Sequence, residues 1–286
     1  MNKIIYSILA MALLITSCSP IESDETLGGI LSVDGIKATV KGITPGSNKI
    51  VLVNETPGTA VYWDYVAGIS TRQSDTVALP FLGTQNIKLT ALCAGGQVTK
   101  EFPVTIEQID YPVDPTWSLF AGDTQDGKTW VWDTSVPWAG PYGTGGYGTS
   151  PRPDWGGIEN ITNLPAHNGI SPDQEMKFDL NGGPNFTKLT LSGEVLEEGT
   201  FSFSMYTTPQ PTLPDMGYPW AVGKLTFTGA TVLSGFGWDD TKGTTPIYVF
   251  DIVSLTDDTM VLAYAPSGTE FGNWMAAATM WCFKKK

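Results

Sequence analysis

Two apolar stretches joined by a polar turn, IYVFDIVSLTDDTMVLA at residues 247–263, decide the fold class of this chain. Residues 247–255 and 259–263 are rich in Val, Ile, Leu, Met and Phe, while Thr256, Asp257 and Asp258 connect them. Apolar and β-branched stretches bounded by turn-forming residues are typical of a β-hairpin. We therefore predict two antiparallel strands here.

The same pattern of short strand-like stretches recurs along most of the chain. Candidate strands lie at residues 37–40, 49–54, 60–65, 76–79, 86–91, 98–106, 129–133, 175–180, 188–194, 199–205, 223–228, 231–233, 247–255, 259–263 and 275–283. The 32 glycines and 20 prolines supply turns between them. No helical periodicity of useful length follows residue 18, so the sequence predicts an all-β protein.

The first residues predict an exported lipoprotein. Residues 1–17 carry Lys3 and then an apolar stretch too short to span a bilayer, which is typical of a signal peptide. The end of this stretch, Ile15-Thr16-Ser17-Cys18, resembles a lipobox, which implies acylation of Cys18. An ordinary signal sequence with an incidental cysteine is the alternative.

Residues 18–27 are predicted to form a lipidated linker. Its acidic residues Glu22, Asp24 and Glu25 resemble the surface-export signal of Bacteroidota lipoproteins, although a plain polar linker would look similar. The resemblance implies a protein anchored by lipid in the outer membrane and facing the cell exterior. The formal charge of −13 argues against nucleic acid as a partner, because phosphates require a basic surface.

Two folded units follow the linker. Residues 28–110 hold six candidate strands, which suits a small sandwich. Residues 111–115 contain two prolines and are predicted to form a semi-rigid joint. Residues 116–286 hold nine of the ten tryptophans and at least nine candidate strands. This unit is predicted to be a jelly-roll-like sandwich or a lipocalin-like barrel, and the sequence leaves the two open.

A family resemblance marks the first unit. Residues 61–68, Val-Tyr-Trp-Asp-Tyr-Val-Ala-Gly, resemble the Tyr-x-Trp-Asp-Phe-Gly-Asp-Gly signature of polycystic-kidney-disease (PKD) type domains. The later stretch from Gly83 to Ala91 is similar to that family's Gly-x-Tyr-x-Val-x-Leu strand. Val66 and Ala67 depart from the signature. The resemblance implies an immunoglobulin-like sandwich that acts as a spacer.

The second unit has a resemblance of its own. Its Trp-Val-Trp-Asp at 130–133, Gly-Thr-Phe-Ser-Phe at 199–203 and closing Trp-x-Phe-Lys at 281–284 are similar to PKD-containing surface lipoproteins. Those lipoproteins are encoded with Bacteroidota glycan-uptake systems of the starch-utilisation type. The resemblance implies a polysaccharide or oligosaccharide ligand and a glycan transporter complex as partner.

Residues that could perform catalysis are sparse. Carboxylates near residues 173–179 and 194–198 lack the paired pattern expected of a β-sandwich glycosidase. His167 is the one histidine, and no Gly-x-Ser-x-Gly motif accompanies it. We therefore predict that the protein is not an enzyme, with an unrecognised hydrolase as the weakest alternative.

Metal and cofactor binding are not predicted either. Cys93 and Cys282 belong to no CxxC or Cys/His cluster and are expected to be buried thiols. Asp123, Asp126 and the Asp239-Asp240 pair could supply oxygen to calcium, but their spacing fits no EF-hand, and turn-forming aspartates explain them.

The strongest functional signal is the segment 137–157, which contains four prolines and seven glycines. This composition predicts a long loop, on which aromatic rings could stack against sugar C–H faces beside polar side chains. Burial of these rings as a plug is the alternative. The predicted glycan-binding residues are Trp138, Tyr142, Tyr147, Arg152, Asp154 and Trp155, with Trp220 and Trp238 on two further loops. Trp130, Trp132, Phe201, Phe203, Trp281 and Phe283 are predicted to be core instead.

The sequence thus favours a surface lipoprotein that binds a glycan without turning it over and presents it to an uptake system. The alternative is a structural or protein-interaction lipoprotein, such as an adhesin or accessory subunit, that binds no sugar. A solvent-facing strip of three or more of the loop aromatics would favour the first.

Overall fold

The computed structural model describes residues 31–137, 139–208 and 219–286. Its strands and helices are β1 (Ala38–Gly42), β2 (Lys49–Asn54), β3 (Ala60–Asp64), β4 (Ile69–Ser70), β5 (Ser74–Ala78), β6 (Gly83–Cys93), β7 (Gly96–Ile106), α1 (Thr116–Ala121), β8 (Lys128–Trp132), β9 (Tyr142–Tyr147), β10 (Trp155–Gly157), α2 (Leu164–Asn168), β11 (Gln174–Asp179), β12 (Asn185–Thr190), β13 (Val195–Met205), β14 (Gly223–Thr228), β15 (Val249–Leu255), β16 (Thr259–Tyr264) and β17 (Asn273–Lys285). Among the described residues, no helix is both long and apolar enough to cross a membrane. Cys18 and the three linker carboxylates lie outside the described residues.

The first unit is a sandwich of two antiparallel sheets. One has the order β1-β2-β5 and the other the order β4-β3-β6-β7. Alternation along β2 and β6 turns Ile50, Leu52, Ile87 and Leu89 inward, where they meet Trp63, and all five are fully buried. The small sandwich predicted for this unit is confirmed.

The loop after β3 holds a strained residue. Val66 has φ 68°, in the left-handed region that suits glycine and is unfavourable for a β-branched side chain. The side chain of Asp64 accepts a hydrogen bond from the Val66 N–H at 3.1 Å and stabilises this turn. The PKD-type signature has glycine at the position of Val66.

The second unit closes into a barrel. Eight strands are antiparallel neighbours in the order β8-β11-β12-β13-β14-β15-β16-β17, and β17 pairs back with β8 through Phe283↔Trp132 and Lys285↔Trp130. Neighbours that follow chain order define an up-and-down barrel, whereas a jelly roll needs Greek-key connections. The all-β prediction is confirmed, and the structure has the barrel of the two architectures left open.

Aromatic rings fill the interior of this barrel. Five of the six aromatic residues predicted to be core are buried and the sixth, Phe203, is half-buried: Trp130, Trp132, Phe201, Trp281 and Phe283 are the buried ones. Eight strands enclose a space just wide enough for side chains to fill. In this barrel the buried rings occupy that space.

Two strands lie where a long loop was predicted, so the loop prediction for residues 137–157 is wrong. β9 pairs with residues 273–281 of β17, and β8 pairs with the same side of β17 at residues 283–285. β10 in turn pairs with β9. The glycines let another layer of backbone lie directly on β9. A Cβ at Gly143 would come within 2.5 Å of the Gly156 carbonyl oxygen, and one at Gly145 within 2.8 Å of the Arg152 oxygen.

The candidate strand at 231–233 is also wrong. Thr231, Val232 and Leu233 are buried, but they lie in the irregular segment between β14 and β15. This segment covers one end of the barrel, where the interior Trp281 donates a hydrogen bond from Nε1 to the Ser234 oxygen at 2.9 Å. An apolar run can be buried by such a cap without joining a sheet.

The helix α1 packs between the two units. The Trp117 ring lies 5.3 Å from Phe81 of the first unit and 4.5 Å from Phe203 of the barrel, centroid to centroid. The Asn48 side chain exchanges two hydrogen bonds with the backbone of Tyr111, at 2.9 and 3.0 Å. Both ends of the 111–115 joint are therefore held by contacts with the folded units.

Candidate functional site

Two of the predicted glycan-binding residues lie in the core. Tyr142 is fully buried on β9 and donates its hydroxyl to the Phe236 oxygen at 2.9 Å. Burial raises the pKa of its phenol. Trp220 is fully buried as well and donates from Nε1 to the Ser150 oxygen at 2.7 Å. As placed, neither ring can stack on a sugar at the surface. Trp138 lies outside the described residues.

Two further candidates are half-buried and engaged by neighbouring rings. Tyr147 meets Trp220 and Phe271 edge to face, both at 5.2 Å. Trp238 stacks on His167 at 4.2 Å, and a His167 ring nitrogen lies 3.2 Å from the Trp238 backbone oxygen. These contacts make both rings part of the packing around the barrel. The solvent-facing strip of three predicted aromatics is therefore not formed by the described residues.

The remaining predicted residues lie at the surface, beside a tryptophan that sequence reasoning missed. Arg152 and Asp154 are exposed and Trp155 is partly exposed on β10. The ring of Trp274 lies 6.4 Å from that of Trp155, and the two planes are 88° apart. Trp274 is 67% exposed, and Met275 beside it is 71% exposed. We call the Trp155–Trp274 pair the indole corner.

A local break in sheet register places Trp274 at the surface. Asn273 pairs with Tyr147 and Ala277 pairs with the adjacent Gly146, so residues 274–276 have no partners on β9 and bulge out of the ladder. A Cβ at Gly146 would lie 3.0 Å from the Trp274 Cα, which shows how closely the bulge crosses β9. Bulges commonly redirect a side chain away from the sheet.

The missed tryptophan had a signal in the sequence. Glycine or proline bounds the segments of Trp220 and Trp238, and the same is true of Trp274, which follows Gly268 and Gly272. The candidate strand at 275–283 begins one residue after Trp274, so the sequence prediction places this residue in neither a strand nor a loop.

A shallow cleft of about 260 Å³ adjoins the indole corner. Asp154, Trp155 and Glu159 line it together with the backbone of residues 156–157 and Ala139. Asp154 is held in place, since its carboxylate accepts a hydrogen bond from Ser150 Oγ and its N–H donates to the Thr144 oxygen at 2.9 Å. The cleft thus offers two carboxylates as hydrogen-bond acceptors beside an indole ring.

Two larger clefts have a different character. One of about 510 Å³ lies between the two units and is lined mostly by polar groups, including Asp64, Gln85 and Thr200. Another of about 480 Å³ lies near Lys128 and Lys285, whose ammonium groups pair with Asp257. Neither cleft contains the exposed ring pair, and the ammonium groups of Lys128 and Lys285 are already paired. In the described parts of the chain, no group of three or more His, Cys, Asp or Glu side chains is arranged to hold a metal ion.

Comparisons with known proteins do not identify a family for this chain. No family model matches the chain, and no curated protein matches it by sequence. Among solved structures, one match is described as "Structural basis for the promiscuous specificity of the carbohydrate-binding modules from the beta-sandwich super family". It covers 87% of this chain and 90% of that chain, with 12% identity and a TM-score of 0.19. A similarity of this size assigns no ligand to this chain.

Proposed function

We propose that this chain binds a glycan non-catalytically through the indole corner. The observation that carries the proposal is the exposure of Trp274, 67%, next to a second indole ring and two carboxylates. Exposed apolar side chains that lie together, here Trp274 and Met275 beside Trp155, form the kind of patch that marks a binding surface. Sugars present C–H faces that stack on such rings, and their hydroxyls donate hydrogen bonds to carboxylates such as those of Asp154 and Glu159.

The setting that we propose is the cell surface. Acylation of Cys18 would hold the chain on the outer membrane, and the first unit would act as a spacer between the membrane and the barrel. The bound polysaccharide or oligosaccharide would then be passed to a glycan transporter complex. The lipobox and the acidic linker support this setting.

Binding to a glycan array followed by calorimetry tests the function. Protein produced without the predicted signal peptide and acyl group should bind at least one plant, host or microbial glycan. Trp274→Ala and Trp155→Ala should each weaken that binding at least about tenfold, because a well-packed aromatic at an interface commonly contributes more than about 1 kcal/mol. Tyr62→Ala is the matched control, since Tyr62 is an exposed aromatic of the first unit.

Two results would contradict the proposal. One is an array on which no glycan binds. The other is a glycan whose affinity is unchanged in both indole variants, which would assign the ring pair to another partner, such as the protein surface expected of an adhesin or accessory subunit.

A further inference from the structure

The angle between the two rings of the indole corner restricts the shape of its ligand. The planes of Trp155 and Trp274 are 88° apart with centroids 6.4 Å apart, so the rings meet edge to face. A flat surface can lie against several rings only when their faces are coplanar. Against a perpendicular pair, a flat surface that covers one ring meets only the edge of the other.

A single glycan chain fits a corner better than a flat surface does. One sugar ring can stack on the exposed face of Trp274 while the next, turned about the glycosidic bond, lies against Trp155 and the adjoining cleft. A chain end can occupy the corner in the same way. Both modes need a chain that is free to bend, and chains packed side by side in an insoluble polymer are not free to do so.

The charges around the corner restrict the ligand further. The charged residues that line the adjoining cleft are Asp154 and Glu159, both carboxylates. Arg152 is exposed nearby but is not among the residues that line the cleft. The whole chain carries a formal charge of −13. Like charges across an interface reject a partner, so uronate and sulfate groups are disfavoured here.

We infer that the indole corner selects a single soluble glycan chain without acidic groups, and rejects both the flat face of an insoluble polymer and polyanionic glycans. This inference rests on the proposed function. It adds the ligand class, which follows from the perpendicular rings and from the two carboxylates of the cleft.

The test compares three kinds of probe with one protein. Soluble neutral polymers (laminarin, xyloglucan and dextran) and the acidic polygalacturonate are titrated by calorimetry, and microcrystalline cellulose and chitin are used in depletion assays. We expect at least one neutral polymer to bind at least about tenfold more tightly than polygalacturonate. We also expect the insoluble polymers to remove no more wild-type protein than Trp274→Ala protein.

The variants separate charge from shape. Asp154→Asn with Glu159→Gln should narrow the difference between neutral and acidic polymers, and raised salt should narrow it in the wild type, because exposed charges are screened. Tight binding of polygalacturonate, or depletion by cellulose or chitin that requires Trp274, overturns the inference and leaves the proposed function standing. Absence of binding to every probe and to the glycan array overturns both.

Discussion

The two ends of β17 carry tryptophans that differ in solvent exposure. Trp281 is fully buried inside the barrel, while Trp274, seven positions earlier, is 67% exposed. The difference lies in the register of the strand, because residues 277–281 pair regularly with β9 and residues 279–284 with β16, whereas residues 274–276 have no partners on β9. Residue type alone therefore does not assign a tryptophan to the core or to a site, whereas the local register of its strand does.

The two partner strands on this edge differ in composition. β8 reads Lys-Thr-Trp-Val-Trp and turns its large side chains into the barrel. β9 reads Tyr-Gly-Thr-Gly-Gly-Tyr, and its glycines let the segment with Trp155 lie flat on it. On this side of β17, β8 thus contributes large side chains to the core of the barrel, and β9 supports the segment that carries the indole corner.

Removal of the Trp281 ring should have the largest effect on stability. Trp281→Ala leaves a cavity among packed rings and deprives the Ser234 oxygen of its donor, so we expect a loss of about 3–5 kcal/mol in the free energy of unfolding. Denaturant titration measures it. A loss below about 1 kcal/mol would mean that the part of β17 around Trp281 does not belong to the core.

A methyl group on β9 should have the next largest effect. In Gly143→Ala the new Cβ meets backbone atoms of Gly156 and Gly157 at 2.5 and 2.7 Å, which side-chain motion cannot relieve. We expect a loss of about 1–3 kcal/mol and weaker glycan binding, because β10 carries Trp155. Gly193→Ala is the comparison for space, since nothing lies within 4 Å of its Cβ, although its φ of 87° adds strain of its own. Equal glycan affinity in Gly143→Ala and the wild type would show that β9 does not position the corner.

The Asp257 carboxylate, paired with lysines near the C-terminal end of β17, should make the stability of the protein depend on pH. The nearly buried ammonium of Lys128 donates to Asp257 Oδ1 at 2.7 Å, and that hydrogen bond, with the charges of Lys128 and Lys285, lowers the pKa of Asp257. A carboxyl whose pKa is lowered by folding adds stability above its ordinary pKa of about 3.9 and loses it as pH falls through the folded value.

Asp257→Asn should accordingly lower the melting temperature near neutral pH, and the difference from the wild type should shrink toward acid. Thermal unfolding measured at several pH values between about 7 and 2 follows it. Asp258→Asn, in the same turn, is the matched control. If the difference in melting temperature between Asp257→Asn and the wild type stayed constant across this range, the ion pair would not be its cause.

The N-terminal end of β17, which carries Trp274, should tolerate substitution. Trp274→Ala removes an exposed ring, so the free energy of unfolding should change by no more than about 0.5 kcal/mol, while glycan affinity falls. Unfolding of the same preparation used for calorimetry checks this. If Trp274→Ala unfolded as readily as Trp281→Ala, the contrast between the two ends would be wrong.

Sequence patterns predicted the strands better than their arrangement. The strands at 49–54 and 223–228 were predicted with their observed bounds, because alternation between polar turns is a local signal. Closure of the barrel depends on β17 meeting β8, which lie far apart in the chain. The glycines of β9 were assigned to a loop because close backbone packing leaves the same composition as flexibility. Trp274 was missed because its exposure follows from a register break.

The course of β17 also separates the indole corner from the first unit. The first unit touches the barrel at the end where this strand finishes, with Gln85 donating to the Gly182 oxygen at 3.2 Å. From there back to Trp274 the strand extends about 30 Å at its usual rise per residue. If the chain is tethered at Cys18 with the first unit nearest the membrane, as proposed above, the indole corner would stand far beyond the Debye length of roughly 8 Å within which the charge of the membrane acts. A passing polymer would then meet the rings without first approaching the lipid headgroups.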